Sequence, residues 1–173
     1  FPAAREALQA AERVFALEQP GLPRLGELTY PQPAFDDARR QAQEEGLRDT
    51  RAAQPALGAV SLGALRVLSE TFGVRADCAA GHSFGELTAL CAAGCLDAEA
   101  FFRLAAVRGK LMAGAGAGDR GAMLAVQAPL EQLEQALREE KLDLVLANRN
   151  APQQGVLSGA TAEIERAREA LAR

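Results

Sequence analysis

The chain has little with which to hold nucleic acid, a metal or a membrane. It contains no tryptophan and one tyrosine, and its net charge is −4 without any basic cluster; a nucleic-acid surface needs Lys/Arg stripes and aromatic rings that stack on bases. No stretch approaches the roughly 18 consecutive apolar residues of a transmembrane helix, and no signal peptide is visible at Phe1. The three cysteines, Cys78, Cys91 and Cys95, lack the spacing of a disulfide framework and suit a reducing cytoplasm. Cys91 and Cys95 share a face if helical, but a zinc ion needs two or more further ligands and only Cys78 and His82 remain. The expectation is a cytoplasmic protein with no metal, nucleic-acid or membrane partner.

The scarcity of histidine is the most informative. His82 is the single one in the chain, and none follows it. That matters because the adjacent Ser83 stands in Gly81-His82-Ser83-Phe84-Gly85, the Gly-x-Ser-x-Gly spacing that lifts a nucleophile out of a tight strand-to-helix turn. The glycines let strand and helix approach closely. Val74 to Ala80 is short and mostly apolar, starts after Gly73, and reads as a buried strand. Phe84 to Ala93 carries apolar residues at helical spacing and ends at Gly94, a C-terminal cap. Strand, elbow and helix therefore follow in the required order, and Ser83 is the candidate nucleophile. A serine hydroxyl still needs a base to take its proton. His82 leaves the turn in another direction from Ser83, and a hydrolase of this type supplies its histidine downstream.

Both ends read as cut. Phe1-Pro2 leads directly into a helix with Ala4, Ala7, Leu8, Ala11, Val14 and Phe15 on one face. Glu163 to Arg173 is helical in pattern and stops without a breaker.

Between the ends, Glu18 to Phe35 reads as an irregular linker with four prolines, Asp36 to Gly46 as a polar helix, and Pro55 to Phe72 as a longer apolar helix begun by its proline. A helix from Asp97 to Met112 follows the elbow helix. Gly114 to Gly121 is glycine-rich but follows a helix rather than a strand, so it reads as a connector rather than a phosphate loop. Then come strand Ala122–Val126, helix Pro129–Glu140, strand Asp143–Ala147, strand Gly155–Ser158 and a helix from Ala162. The order βαββα is five-sixths of a ferredoxin-like unit. With 49% hydrophobic residues, a chain of this size buries roughly 70% of its unfolded surface. The expected fold class is α/β: a hydrolase-like parallel-sheet core over residues 1–120 carrying the elbow, and a ferredoxin-like α+β small subdomain over 121–173, both truncated. Such unpaired sheet edges predict aggregation or marginal stability.

Four colinear segments carry a family resemblance. Gly81-His82-Ser83-Phe84-Gly85-Glu86-Leu87-Thr88-Ala89-Leu90 resembles the active-site segment of malonyl-CoA:acyl-carrier-protein transacylases and of polyketide synthase acyltransferase domains. Ala53-Gln54-Pro55-Ala56-Leu57, Arg108-Gly109-Lys110-Leu111-Met112 and Asn148-Arg149-Asn150-Ala151-Pro152-Gln153-Gln154 resemble three further segments of that family in the same order. Tyr30 to Phe35, with Phe84, is most similar to synthases of polyunsaturated fatty acids or enediynes.

The resemblance implies acyl transfer. Ser83 would take a malonyl unit from malonyl-CoA as an ester and pass it to the phosphopantetheine thiol of an acyl carrier protein, beside neighbouring synthase domains such as a ketosynthase and with no bound cofactor. It also implies a catalytic histidine and a first oxyanion loop outside this chain, so the fragment alone is expected to be inactive. The backbone N–H of Phe84 is the expected oxyanion donor. Arg108 is the expected ligand of the malonyl carboxylate, since a guanidinium pairs with a carboxylate through two parallel bonds; without the resemblance it reads as a solvated arginine on its helix. Phe84 in place of glutamine resembles the malonyl-selecting pattern. His82 either bonds the acyl group or holds the neighbouring backbone. Asn150, Gln154 and Gln54 are expected to frame the pocket, or else to serve a turn in the first two cases and a helix start in the last. A serine esterase or thioesterase and a noncatalytic scaffold remain the alternatives.

Overall fold

The computed structural model describes residues 1–114, 118–119 and 121–171. It divides into two compact units, Phe1–Gly114 and Ala115–Arg173. Half of the glycine-rich connector (115–117 and 120) lies outside the described residues.

In the first unit, α1 (Pro2–Glu18), α4 (Thr50–Arg66) and α6 (Ala98–Gly114) pack mutually. The short α2 (Leu25–Thr29) and the polar α3 (Asp37–Arg48) lie against α4, and α5 (Phe84–Ala92) against α4 and α6. Helix α1 starts with Pro2, whose missing N–H costs nothing in the first turn, and buries Ala3, Ala7, Ala11, Val14 and Phe15 at three- and four-residue spacing. Gln19, at its end, is buried and donates from Nε2 to the Ala106 carbonyl of α6 at 3.3 Å. The core is Ala7, Ala11, Phe15, Ala56, Ala59, Leu62, Phe84, Phe101, Phe102 and their neighbours. Its many alanines let the helices approach closely, and the phenylalanines fill the remaining space.

One contact sets the spacing of α4 and α6. A Cβ on Gly109 would run into the carbonyl oxygen of Thr50 and lie 3.1 Å from Arg51 Cα. Thr50 Oγ1 donates to the Gly109 carbonyl at 3.0 Å. A glycine inside a helix loses about 1 kcal/mol against alanine; here its lack of a side chain permits a backbone-to-backbone crossing.

The structure corrects several sequence expectations. Helix α4 begins at Thr50, not Pro55, because the Asp49 carboxylate accepts from Arg51 N at 2.9 Å and caps it; Pro55 lies inside the helix, fully buried. The helix continues as a π turn, Val67–Thr71, and ends before Gly73, whose φ of +66° suits a residue without Cβ. The linker at 18–35 contains α2. Residues 74–80 are not a strand: they are irregular and exposed, because a strand exists only through a ladder to a neighbour. Among the described residues the first unit holds no strand, so the expected parallel sheet is not formed there. Leu57, Val60, Phe72, Val74, Leu104 and Leu111 are exposed on this unit.

The second unit is a three-stranded antiparallel sheet in the order β1-β3-β2, formed by β1 (Ala122–Val126), β2 (Val145–Ala151) and β3 (Gln154–Gly159), with α7 (Leu130–Glu139) and α8 (Thr161–Leu171). Leu142, Leu157, Ile164 and Ala167 form its core. The element order βαββα is as the sequence predicts, although β2 runs through Ala151, beyond the expected Ala147, with register shifts against β3. Fold class is thus α/β, with its sheet antiparallel. Among the described residues no helix is long and apolar enough to cross a membrane.

Asp119 ties the start of α8 to the start of β1. Its carboxylate accepts from Thr161 N at 2.8 Å, Thr161 Oγ1 at 2.5 Å and Gly121 N at 3.0 Å. The Thr161 hydroxyl, then the Thr161 and Gly121 amides, hold the Asp119 carboxyl below its ordinary range. Glu163 is lowered likewise, by Arg166 and then the Asp143 amide.

These contacts can be tested by stability measurements. Gly109→Ala should cost about 1–3 kcal/mol in urea unfolding, whereas Gly114→Ala, where an added Cβ meets nothing within 4 Å, should leave stability equal or higher; equal unfolding midpoints for the two variants would refute the close crossing. Both carboxyls have depressed folded pKa values, so their stabilisation is present above the unfolded carboxylate pKa, near about 4, and is lost as pH falls through the folded values. Thermal unfolding should therefore show acid destabilisation below about pH 4 that is diminished in the Asp119→Asn, Glu163→Gln double variant.

Candidate active site

Ser83 occupies the turn that starts α5. Its φ of 55° and ψ of −116° are strained for a residue with a side chain, a cost of about 1–3 kcal/mol that surrounding structure must offset. The turn is closed by Gly85 N donating to the His82 carbonyl at 2.9 Å and Glu86 N to the Ser83 carbonyl at 3.1 Å. Gly81 makes it possible: a Cβ there would collide with the Gly85 carbonyl and the Glu86 amide. The sequence reading assigned the close approach to both Gly81 and Gly85, and the geometry bears it out for Gly81. Gly85, where an added Cβ meets nothing within 4 Å, is not crowded in the same way. On the far side, Phe84 is buried and packs its ring 5.9 Å from that of Phe101, over Gly58. That apolar anchor holds the first residue of α5 down while Ser83 and His82 stay exposed.

A serine at a helix N-cap usually turns its hydroxyl onto an amide of the first turn. Here it does not, because the Gly85 and Glu86 amides already have carbonyl acceptors. Ser83 Oγ instead accepts from Arg108 Nη2 at 3.1 Å. The same guanidinium donates through Nη1 to Gln54 Oε1. Gln54 is 8% exposed, so one of the few buried polar side chains of the unit is spent on aiming this arginine. Arg108 and Gln54 come from α6 and α4, which meet at Gly109, the residue directly after Arg108.

The fold therefore gathers Ser83, Arg108 and Gln54, which are 25 and 54 residues apart by pair. The Phe84 amide heads α5 beside them, where the positive end of the helix favours developing negative charge. His82 is exposed next to Ser83. Asn150 belongs to the second unit, exposed on β2, and the turn of its Asn-x-Asn-x-Pro stretch falls just after it, at Pro152 and Gln153. Gln54 does not cap α4, a role held by Asp49. Sequence reasoning missed Thr50 and Gly109 as the residues that set the site's spacing; a helical glycine beside the candidate arginine was the available signal. On α5, burial pushes the Cys91 thiol up, away from the thiolate form. Among the described residues no group of three acidic, histidine or cysteine side chains is placed to hold a metal.

A family model described as the acyl transferase domain matches residues 2–173. The chain is 45% identical over 121 residues to the polyketide biosynthesis protein PksE of Bacillus subtilis, covering 69% of this chain and 15% of that protein. It is 40% identical over 134 residues to the malonyl CoA-acyl carrier protein transacylase of Haemophilus influenzae, covering 74% of this chain and 42% of that protein. A solved malonyl-transacylase in complex with a type II polyketide synthase acyl-carrier protein superposes with a TM-score of 0.80 at 32% identity, covering 98% of this chain and 51% of that one. The chain thus spans about half of the solved relative, less than half of the Haemophilus transacylase and a small part of the larger polyketide protein.

Gly81→Ala should open the turn and misdirect Ser83 while leaving the helical core intact. In a protein joining this chain to the rest of the domain, far-ultraviolet circular dichroism should be unchanged and reaction of Ser83 with a fluorophosphonate lost; labelling of the variant at the parent's rate would show that the crowding at Gly81 does not shape the turn.

Proposed function

Because the chain belongs to the acyl transferase domain family, we propose that it carries the nucleophile and the acyl-selecting arginine of a malonyltransferase that loads an acyl carrier protein in polyketide or fatty acid synthesis. The observation that carries this reading is the Arg108 guanidinium held 3.1 Å from Ser83 Oγ. A malonyl group differs from an acetyl group by one carboxylate, and a guanidinium fork is the side chain best matched to it. Lysine in its place would keep the charge and lose the paired geometry.

In the proposed reaction Ser83 Oγ bonds to the thioester carbonyl carbon while its proton passes to a general base, and the carbon–sulfur bond then breaks to release the CoA thiol, which takes that proton. The carrier's phosphopantetheine thiol reverses these events on the acyl-serine. The Phe84 amide is the proposed donor to the tetrahedral oxyanion, helped by the α5 dipole. The base is not His82, which shares the turn with Ser83. It is a histidine in the part of the domain that the longer relatives possess. The same part is proposed to supply the strands of a hydrolase-like parallel sheet and to cover the exposed apolar side chains of the first unit. The second unit is proposed as the ferredoxin-like small subdomain. The solved relative in complex with an acyl-carrier protein supports a carrier protein as acyl acceptor; malonyl-CoA is the donor, and phosphopantetheine enters on the carrier.

The test is intact mass after incubation with malonyl-CoA or acetyl-CoA, using a protein that joins this chain to the rest of the domain. A malonyl adduct is expected on the parent and absent from Ser83→Ala. Arg108→Ala should lose malonyl loading by a factor of about 10 to 100, as for a charge-assisted pair of about 1.5–3 kcal/mol, and gain relative preference for acetyl. No adduct from either donor on a folded parent would remove the acyltransferase reading.

A further inference from the structure

The contact between Arg108 and Ser83 has a cost as well as a use. A guanidinium is a donor with no acceptor, so Nη2 at 3.1 Å from Oγ occupies a lone pair of the oxygen that has to attack. The hydroxyl has no competing local partner of the usual kind, since the first amides of α5 are closed onto His82 and Ser83 carbonyls. The arginine is meanwhile held from behind by the buried Gln54, so it does not simply drift into solvent. Three side chains from α4, the turn and α6 thus form a chain of donor and acceptor that ends on the nucleophile.

We propose that Arg108, aimed by Gln54, locks the Ser83 hydroxyl until a carboxylate arrives. The proposal rests on the reading of Ser83 as nucleophile and adds a mode of selection to it. A carboxylate is a far better acceptor for a guanidinium than a neutral hydroxyl, because it offers two charged oxygens to two parallel N–H groups. A donor carrying a free carboxylate draws Nη2 away from Oγ and returns the lone pair to attack. An acetyl group has nothing to exchange for the hydroxyl and meets the nucleophile with the lock closed. Selection then lies partly in the reactivity of Ser83, not wholly in the affinity for the acyl chain. Gln54 is a positioning residue in this arrangement, and Arg108 carries the exchange.

The proposal concerns Ser83 in the absence of the acyl substrate, so a small neutral fluorophosphonate is the probe. It forms a bond from Ser83 Oγ to phosphorus and releases fluoride, with the hydroxyl proton passing to the general base. The second-order labelling rate is read by intact mass on a protein joining this chain to the rest of the domain. Arg108→Ala should label about tenfold faster than the parent, the scale of one hydrogen bond from a charged donor. Acetate ion at high concentration should speed labelling of the parent, by competing for Arg108, and leave Arg108→Ala unaffected. A slower or unchanged rate in Arg108→Ala, or acetate that fails to accelerate the parent, overturns the lock and leaves Arg108 as a binding group that activates the serine. Should Arg108→Ala lose its helical dichroism, the acetate response of the parent decides alone. Labelling of Ser83→Ala at the parent's rate would instead mean that Ser83 is not the nucleophile, a distinct failure.

Discussion

The crossing of α4 and α6 at Gly109 is the constraint on which the site depends. Backbone meets backbone there, with Thr50 Oγ1 bonded to the Gly109 carbonyl, so the two helices lie closer than side chains elsewhere would allow. Arg108 and Gln54 flank that crossing, one residue and one turn away from it. Their bond to each other is therefore a consequence of helix packing, and the reach of Arg108 to Ser83 is a consequence of that bond. A methyl group at position 109 would act on chemistry it never touches.

The second requirement is a turn strained enough to present a hydroxyl. Ser83 has a positive φ although it carries a side chain, and the helix that follows uses its own first amides to close the turn. Phe84 supplies the opposing force by burying its ring against Phe101. Strain at the exposed residue and burial at the next residue belong together, because an unanchored turn would relax into an ordinary N-cap with the hydroxyl on the helix. The hydroxyl is free to face the guanidinium because that relaxation is blocked.

The relation between the two units' sequences and their elements differs. In residues 122–171, alternation and turn residues were sufficient to read βαββα, because each strand there finds an antiparallel partner within a few tens of residues. In residues 74–80 the same kind of apolar run suggested a strand and formed none. Strand structure is a property of a pair, and no ladder forms around this run among the described residues. Pro55 misled for a related reason. Proline often opens a helix, but Asp49 offers a capping carboxylate six residues earlier, and full burial of the proline ring offsets one missing N–H.

Local chemistry was legible in the residues alone: the Gly-x-Ser-x-Gly spacing announces the tight turn before α5, Gly94 and Gly73 mark helix ends with positive φ, and the single histidine of the sequence stands beside the serine. These follow from backbone sterics and side-chain chemistry acting over a few residues. That Gln54 aims Arg108 rather than capping a helix, and that Arg108 ends on the Ser83 hydroxyl rather than in solvent, was decided only by the tertiary structure. Such contacts join residues 25 and 54 positions apart, and nothing in local propensity sets the distance between two helices; the missing side chain at Gly109 does so only when α4 is there to meet it.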